Sequence, residues 1–290
     1  MEPIRYEAPH ELSAAIKLLD SVEGAYVLAG GTDLLIQLRS GVIRPTLLVD
    51  LKRIPELTAV SLEAEGLSLG AAVACAELRE HKQVEHLFPG VYESAELIGS
   101  EQIQGRASLG GNLCNASPAA DTVPALLATS ARCVIAGPAG SRTLPCEKFV
   151  TAPGETALAR GELLVSIQIP RPAPGTADCY LRMIPRTEMD IAVVGAAVSV
   201  TLDASGNCTN ARVAQGAVGP TARLVPAAAA ALVGGIPEAD RLEAAAHAAS
   251  AATRPIDDKR GTVRYRRKVT GVLTRRAAEI AIERARQRNG

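Results

Sequence analysis

Residues 25–41 read AYVLAGGTDLLIQLRSG, and this run constrains the fold more than any other. Ala25–Ala29 is an apolar segment of strand length, and Gly30-Gly31 ends it in a tight turn. Leu34, Leu35 and Leu38 then follow at helical spacing, up to a stop at Gly41. Thr32 or Asp33 is placed to cap that helix. Upstream lie a short strand at Ile4–Tyr6 and a helix from Glu11 to Leu19, with Leu12, Ala15, Ile16 and Leu19 on one face. Downstream, Thr46–Leu51 (TLLVDL) is a third strand. Strand, helix, strand, helix, strand is an α/β unit.

The turn Leu28-Ala29-Gly30-Gly31-Thr32-Asp33-Leu34 also has chemical potential. Its glycines let a ligand approach the backbone. The helix that follows presents free N–H groups and a partial positive charge, which suit a phosphate, and Thr32 adds a hydroxyl donor. The same residues equally describe an ordinary glycine turn. A lone diglycine is weaker evidence than a GxGxxG or P-loop, and neither is present.

After Ile54-Pro55 the texture changes. Thr58–Leu62 and Gly66–Leu69 read as a hairpin, and AVACAELREH and VYESAELIGS as helices. Asp121–Thr129 reads as a helix, and Arg132–Ile135, Ser141–Leu144 and Glu162–Ile169 as strands. The Pro-rich PRPAPG (Pro170–Gly175) marks a boundary. Beyond it, Cys179–Met183, Ile191–Leu202 and Cys208–Val218 are strand-like, with Asp203–Asn207 as a hairpin turn. Helices follow near Pro226–Val233, Glu238–Ala252 and Val263–Arg288. The expected division is an α/β subdomain (1–56), an α+β subdomain (57–174) and a C-terminal α+β domain (175–290) of three antiparallel strands on helices.

Lys+Arg and Asp+Glu both number 31, so the net charge is zero and no field attracts nucleic acid or an anionic membrane. Aromatics are 2% of residues, too few to stack single-stranded bases. No run approaches the ~18 apolar residues of a membrane span. Met1–Ala8 carries Glu2, Arg5 and Glu7 and no apolar core of a leader, so a cytoplasmic location is expected. Cys75, Cys114, Cys133, Cys146, Cys179 and Cys208 lack metal-ligand spacing and read as free thiols in a reducing compartment.

A second dense turn region, ASLGGNLCNASPAAD, spans Ala107–Asp121. Ser108, Gly110, Gly111 and Asn112 form a backbone nest able to bind an anion. Ser117-Pro118-Ala119-Ala120-Asp121 starts another helix, and Asp121 could accept bonds from ligand hydroxyls. A structural loop satisfied by its own Asn and Ser side chains is the other reading. Two phosphate-capable loops about eighty residues apart suggest one elongated ligand gripped from both sides. A diphosphate with an extended sugar tail has that shape.

LAGGTDLL, LLVDLKRI, SLGGNLCNASPAAD, ELLVSIQIP and MDIAVVGAAV occur in that order along nearly the whole chain. Together they resemble the FAD-binding medium subunit of molybdenum-containing hydroxylases, the relatives of xanthine dehydrogenase and carbon monoxide dehydrogenase. The resemblance implies a two-subdomain FAD fold of the vanillyl-alcohol-oxidase type, followed by the C-terminal α+β domain. By it, Leu28, Ala29, Gly30, Gly31, Thr32, Asp33 and Leu34 wrap the FAD pyrophosphate. Ser108, Gly110, Gly111, Asn112 and Ser117 supply the second loop, and Asp121 binds ribityl or ribose hydroxyls. Leu164 lies against the adenine or flavin ring, and Ile98 falls where some relatives place an aromatic on the flavin. Arg182 falls where relatives carry a basic residue near the flavin carbonyls, or is a surface arginine on an edge strand.

The chain has no C-x4-C-x2-C cluster motif and no room for a molybdopterin domain. The resemblance therefore implies a molybdopterin-binding large subunit and a [2Fe–2S] small subunit as partners. Electrons would pass from the clusters through FAD to an external acceptor, with no catalytic or metal-binding side chain in this chain. The alternative is a self-sufficient FAD-dependent oxidoreductase of the same fold. Cys114 has no nearby cysteine or base and reads as a packing residue. His10, His81, His86 and His247 are scattered. The last helix places Val269, Val272, Leu273 and Ile280 on one side, with Arg264, Arg266, Arg267, Arg275 and Arg276 around it. That basic face is either solvated or a docking surface.

Overall fold

The computed structural model describes residues 3–289; Met1 and Glu2, part of the stretch read against a leader, lie outside the described residues, as does Gly290. The chain opens with β1 (Arg5–Glu7), α1 (Leu12–Ser21), β2 (Ala25–Leu28), α2 (Leu34–Arg39) and β3 (Leu47–Asp50). β3 is central and pairs in parallel with β1 and β2, the pairing that helical crossovers produce. All four β3 residues are buried, whereas α2 buries none. Neither Thr32 nor Asp33 caps α2. Asp33 holds the N-cap position with helical backbone (φ −95°, ψ −48°) and makes no capping bond; a capping side chain needs extended backbone there to reach back to its helix.

The second part contains α3 (Pro55–Thr58), β4 (Val60–Leu62), β5 (Gly66–Gly70), α4 (Cys75–Leu78), α5 (Lys82–Leu87), α6 (Pro89–Glu96) and α7 (Glu101–Gln104). It continues with α8 (Leu109–Cys114), α9 (Thr122–Ala128), β6 (Arg132–Gly137), β7 (Gly140–Pro145), β8 (Val150–Ala152), β9 (Glu155–Thr156) and β10 (Leu163–Pro170). An antiparallel sheet in the order β4-β5-β10-β6-β7 forms its floor. The helix expected in VYESAELIGS starts earlier, at Pro89, because proline at the first helical position forfeits no hydrogen bond. α9 is buried at every residue; a helix apolar all round belongs in an interior. Aliphatic side chains fill the core, and both phenylalanines, Phe88 and Phe149, are buried in it.

The last part is an antiparallel sheet of β11 (Thr176–Met183), β12 (Val194–Leu202), β13 (Cys208–Gly216) and β14 (Arg223–Leu224). Helices α10 (Pro226–Leu232), α11 (Ala239–Ala251) and α12 (Val263–Asn289) follow. β14 is a fourth strand, too short at two residues to leave a periodic signal. Both faces of this sheet are covered. Ala177, Cys179, Val198, Val200 and Val213 pack with α10, α11 and α12. Tyr180, Ala197 and Ala214 point the other way, into the core of the preceding part. That explains why VVGAAVSV is continuously apolar rather than alternating.

α12 differs from its sequence reading. Val272 is 38% exposed, while Thr270, Leu273, Thr274, Ala277, Ala278, Ala281 and Ala285 are buried. Small residues let it lie close to α11: a Cβ at Gly271 would stand 3.1 Å from the Ala246 carbonyl oxygen. Arg266, counted with the solvated bases, is 4% exposed. Its guanidinium donates to the carbonyls of Val193 (2.7 Å) and Ala217 (3.0 Å) and pairs with Asp258 at 2.8 Å. No helix among the described residues is long and apolar enough to cross a membrane.

Candidate functional site

The two glycine segments meet. A Cβ on Gly30 would stand 1.7 Å from the carbonyl oxygen of Arg106, just ahead of the second segment. Gln37 on α2 donates to Asn115 at 2.9 Å, and Ala74 bridges to Ser108. The glycines divide by what requires them. Gly30 and Gly110 are needed by the chain itself, since a Cβ on Gly110 would stand 2.3 Å from the Ala71 carbonyl. Gly31 turns in the left-handed region at φ +79°. A Cβ on Gly111 would meet only the Ser108 hydroxyl, at 3.0 Å.

The second segment is a short helix rather than an open nest. Ser108 is the N-cap of α8 and accepts from the Gly111 N–H at 3.0 Å. Asn112 accepts from the N–H and hydroxyl of Thr122, at 3.3 and 2.7 Å, and so holds the start of α9. The Ser117 hydroxyl accepts from the Ala119 N–H. Leu28, Ala29, Thr32 and Leu34 are half-buried around the first turn, and Asp33 is exposed. Ile98 is half-buried after α6, its carbonyl bonded by Gln104. Leu164 is 3% exposed, just before an irregularity in β10 that leaves Val165 half-buried.

Asp121 begins α9 without capping it. Its carboxylate faces β11 instead, accepting from the Tyr180 hydroxyl at 3.0 Å and from Arg182 at 2.8 Å. Burial pushes this carboxyl above the usual range, opposed by Arg182 and Tyr180. The Arg182 side chain is 4% exposed, so it is not a surface group. Its Nε has no hydrogen-bond partner among the described residues, and a buried unpaired donor is costly unless a ligand meets it.

Two functional side chains escaped the sequence reading. Tyr180 carries no motif and is placed by tertiary contact alone. Lys52, inside the LLVDLKRI run, donates to the Ala29 carbonyl at 2.8 Å and pairs with Asp50 at 2.7 Å. The Tyr6 hydroxyl donates to the other Asp50 oxygen at 2.6 Å. The Lys52–Asp50 ion pair thus anchors the base of the first turn. Cys114 does have a cysteine neighbour: burial, with Cys133 adding repulsion, pushes its thiol up to about 12. At such a value almost no thiolate forms near neutrality, as a packing role requires.

The arrangement joins a glycine turn, the glycine-containing helix α8, a lysine, a buried carboxylate and an unpaired guanidinium N–H. Comparison with known proteins gives it a context. Residues 2–172 match the family described as the FAD binding domain in molybdopterin dehydrogenase, and residues 179–281 match the CO dehydrogenase flavoprotein C-terminal domain. The chain is 32% identical over 278 residues to the carbon monoxide dehydrogenase medium chain of Hydrogenophaga pseudoflava, across 95% of this chain and 96% of that one. It is 34% identical over 218 residues to the xanthine dehydrogenase FAD-binding subunit of Escherichia coli O157:H7, across 74% of each. A solved Cu,Mo-CO dehydrogenase in its cyanide-inactivated form superposes with a TM-score of 0.93 at 31% identity, over 98% of this chain and 100% of that one.

Proposed function

Because this chain belongs to the family of FAD-binding medium subunits of molybdenum hydroxylases, we propose that it holds FAD between its two glycine segments as the flavin subunit of such an oxidoreductase complex. The observation that carries the reading is the convergence of the Gly30-Gly31 turn, the Gly110–Gly111 segment and the Asp121–Arg182 pair. The residues fit the cofactor. The unpaired Arg182 Nε suits an acceptor-rich ligand.

When bound, FAD supplies the redox chemistry that carries electrons from iron–sulfur clusters of a partner subunit to an external acceptor. Ala29, Gly30, Gly31, Thr32, Asp33 and Leu34 would hold the pyrophosphate, with Leu28 at the strand end. Ser108, Gly110, Gly111, Asn112 and Ser117 would form the second side. Asp121 would accept from ribityl or ribose hydroxyls, and Ile98 and Leu164 would border the ring systems. Arg182 would supply positive charge to offset the negative charge that a reduced flavin gains.

The partners of this reading are a molybdopterin-binding large subunit and a [2Fe–2S] small subunit, and the location is the cytoplasm. The cysteine spacing, which carries no disulfide-framework pattern, supports a reducing compartment. The purified full chain should be yellow and release FAD on denaturation. A colourless chain that cannot be reconstituted with FAD overturns the proposal. Turnover of a small alcohol or enol by the isolated chain would favour the self-sufficient alternative.

A further inference from the structure

Residues two apart on a strand share a face, and β11 uses this to present Tyr180 and Arg182 together toward the start of α9. Between them they occupy both carboxylate oxygens of Asp121: Tyr180 donates to Oδ1 at 3.0 Å, Arg182 to Oδ2 at 2.8 Å. Tyr180 is 1% exposed, and its hydroxyl spans 59 residues of sequence to reach its partner. Room for it is made on the neighbouring strand. A Cβ at Gly195 would lie 2.8 Å from the Tyr180 hydroxyl oxygen, so glycine in the run MDIAVVGAAV is what admits the phenol. The backbone of Tyr180 is fixed as well, its N–H donating to Glu93 of α6 at 2.9 Å.

From this geometry we propose that Tyr180 is a positioning residue for the cofactor site, holding Asp121 in the orientation that receives a hydroxyl of FAD, with Gly195 as the space that permits it. The inference rests on the FAD reading above. It makes the C-terminal sheet part of the cofactor site. Arg182 alone would tether one oxygen and leave the carboxylate free to pivot. Tyr180 fixes the second oxygen and leaves its remaining lone pairs directed at a ligand. It also favours the ionised form: burial works against the charge, and Arg182 and Tyr180 are the groups that offset it.

The test uses the full chain and its double-mutant cycle. In Tyr180→Phe, the FAD dissociation constant should rise about tenfold, the size expected for one hydrogen bond to a charged acceptor. The acid limb of FAD binding should also move to higher pH, because Asp121 loses a donor that favours its anion. Gly195→Ala should weaken FAD to a similar extent by displacing the hydroxyl. In the Tyr180→Phe background the same alanine should cost much less, since the oxygen at 2.8 Å is gone and only ring carbons at 3.3 and 3.4 Å remain to be displaced. Thermal unfolding of the apo chains separates a lost fold from a lost orientation. Wild-type FAD affinity and an unmoved acid limb in Tyr180→Phe overturn the inference while leaving the FAD reading intact. A wild-type chain that binds no FAD overturns both.

Discussion

Single atoms decide which glycines of the two turns belong to the fold and which to the ligand. Gly30→Ala would drive a methyl to 1.7 Å from the Arg106 carbonyl. Backbone must move, so the variant should lose about 2–3 kcal/mol of stability and retain little FAD. Gly111 lies inside α8, and a Cβ there meets only a flexible hydroxyl. Gly111→Ala should keep the apo unfolding temperature, because a helical alanine recovers about 1 kcal/mol, yet bind FAD more weakly. Apo thermal unfolding beside flavin titration reads both effects. Wild-type FAD affinity in Gly111→Ala would remove that residue from the site.

Elements were legible in the sequence where a local signal set them. The Gly30-Gly31 turn, the β3 run LLVD and the Asp203–Asn207 hairpin all follow from short-range chemistry. α8 was not legible: two glycines in six residues mask a helix, and its Ser108 cap looked like an anion ligand. Tyr180 and Lys52 were missed because each acts through a partner that the fold supplies. Arg266 was missed for a similar reason, being one arginine among several on α12 with nothing local to mark it as buried. Its guanidinium ties α12 to the end of β12 and to the Ala217 carbonyl. Arg266→Met should cost about 3–5 kcal/mol in urea unfolding, since Asp258 and two carbonyls lose their donor. Arg264→Met, at an exposed position of the same helix, should change stability by less than about 0.5 kcal/mol. Equal losses would return Arg266 to the solvated face.

Across the whole molecule, the seam between the C-terminal sheet and the rest is a core rather than a linker. Tyr180, Ala197 and Ala214 share one hydrophobic cluster with α6 and α9 residues such as Val91 and Leu126. Asp178 is buried in that seam, and burial pushes its carboxyl up to about 7, with the Gly90 N–H, Arg288 and Arg284 opposing and Glu93 reinforcing. The folded chain thus keeps a proton that the unfolded chain releases near pH 4. Stability should fall as pH rises from about 4 to 7 and level off above. Asp178→Asn should remove this component of the slope and, at pH 8, raise stability by on the order of 4 kcal/mol. Parallel denaturant titrations of the two chains at pH 4.5, 6 and 8 (about 1.5–2 units apart, spanning the window) decide it; curves that differ by a constant amount refute it. The same seam closes the outer edge of β11. The Tyr180 N–H is taken by Glu93, the Asp178 carbonyl by Arg284 and the Thr176 carbonyl by Arg288. An open strand edge is a template on which a foreign strand can grow. With these three groups taken by side chains, the Thr176–Tyr180 stretch of the edge has fewer backbone groups to offer a foreign strand, which favours contacts there by shape and charge over backbone pairing.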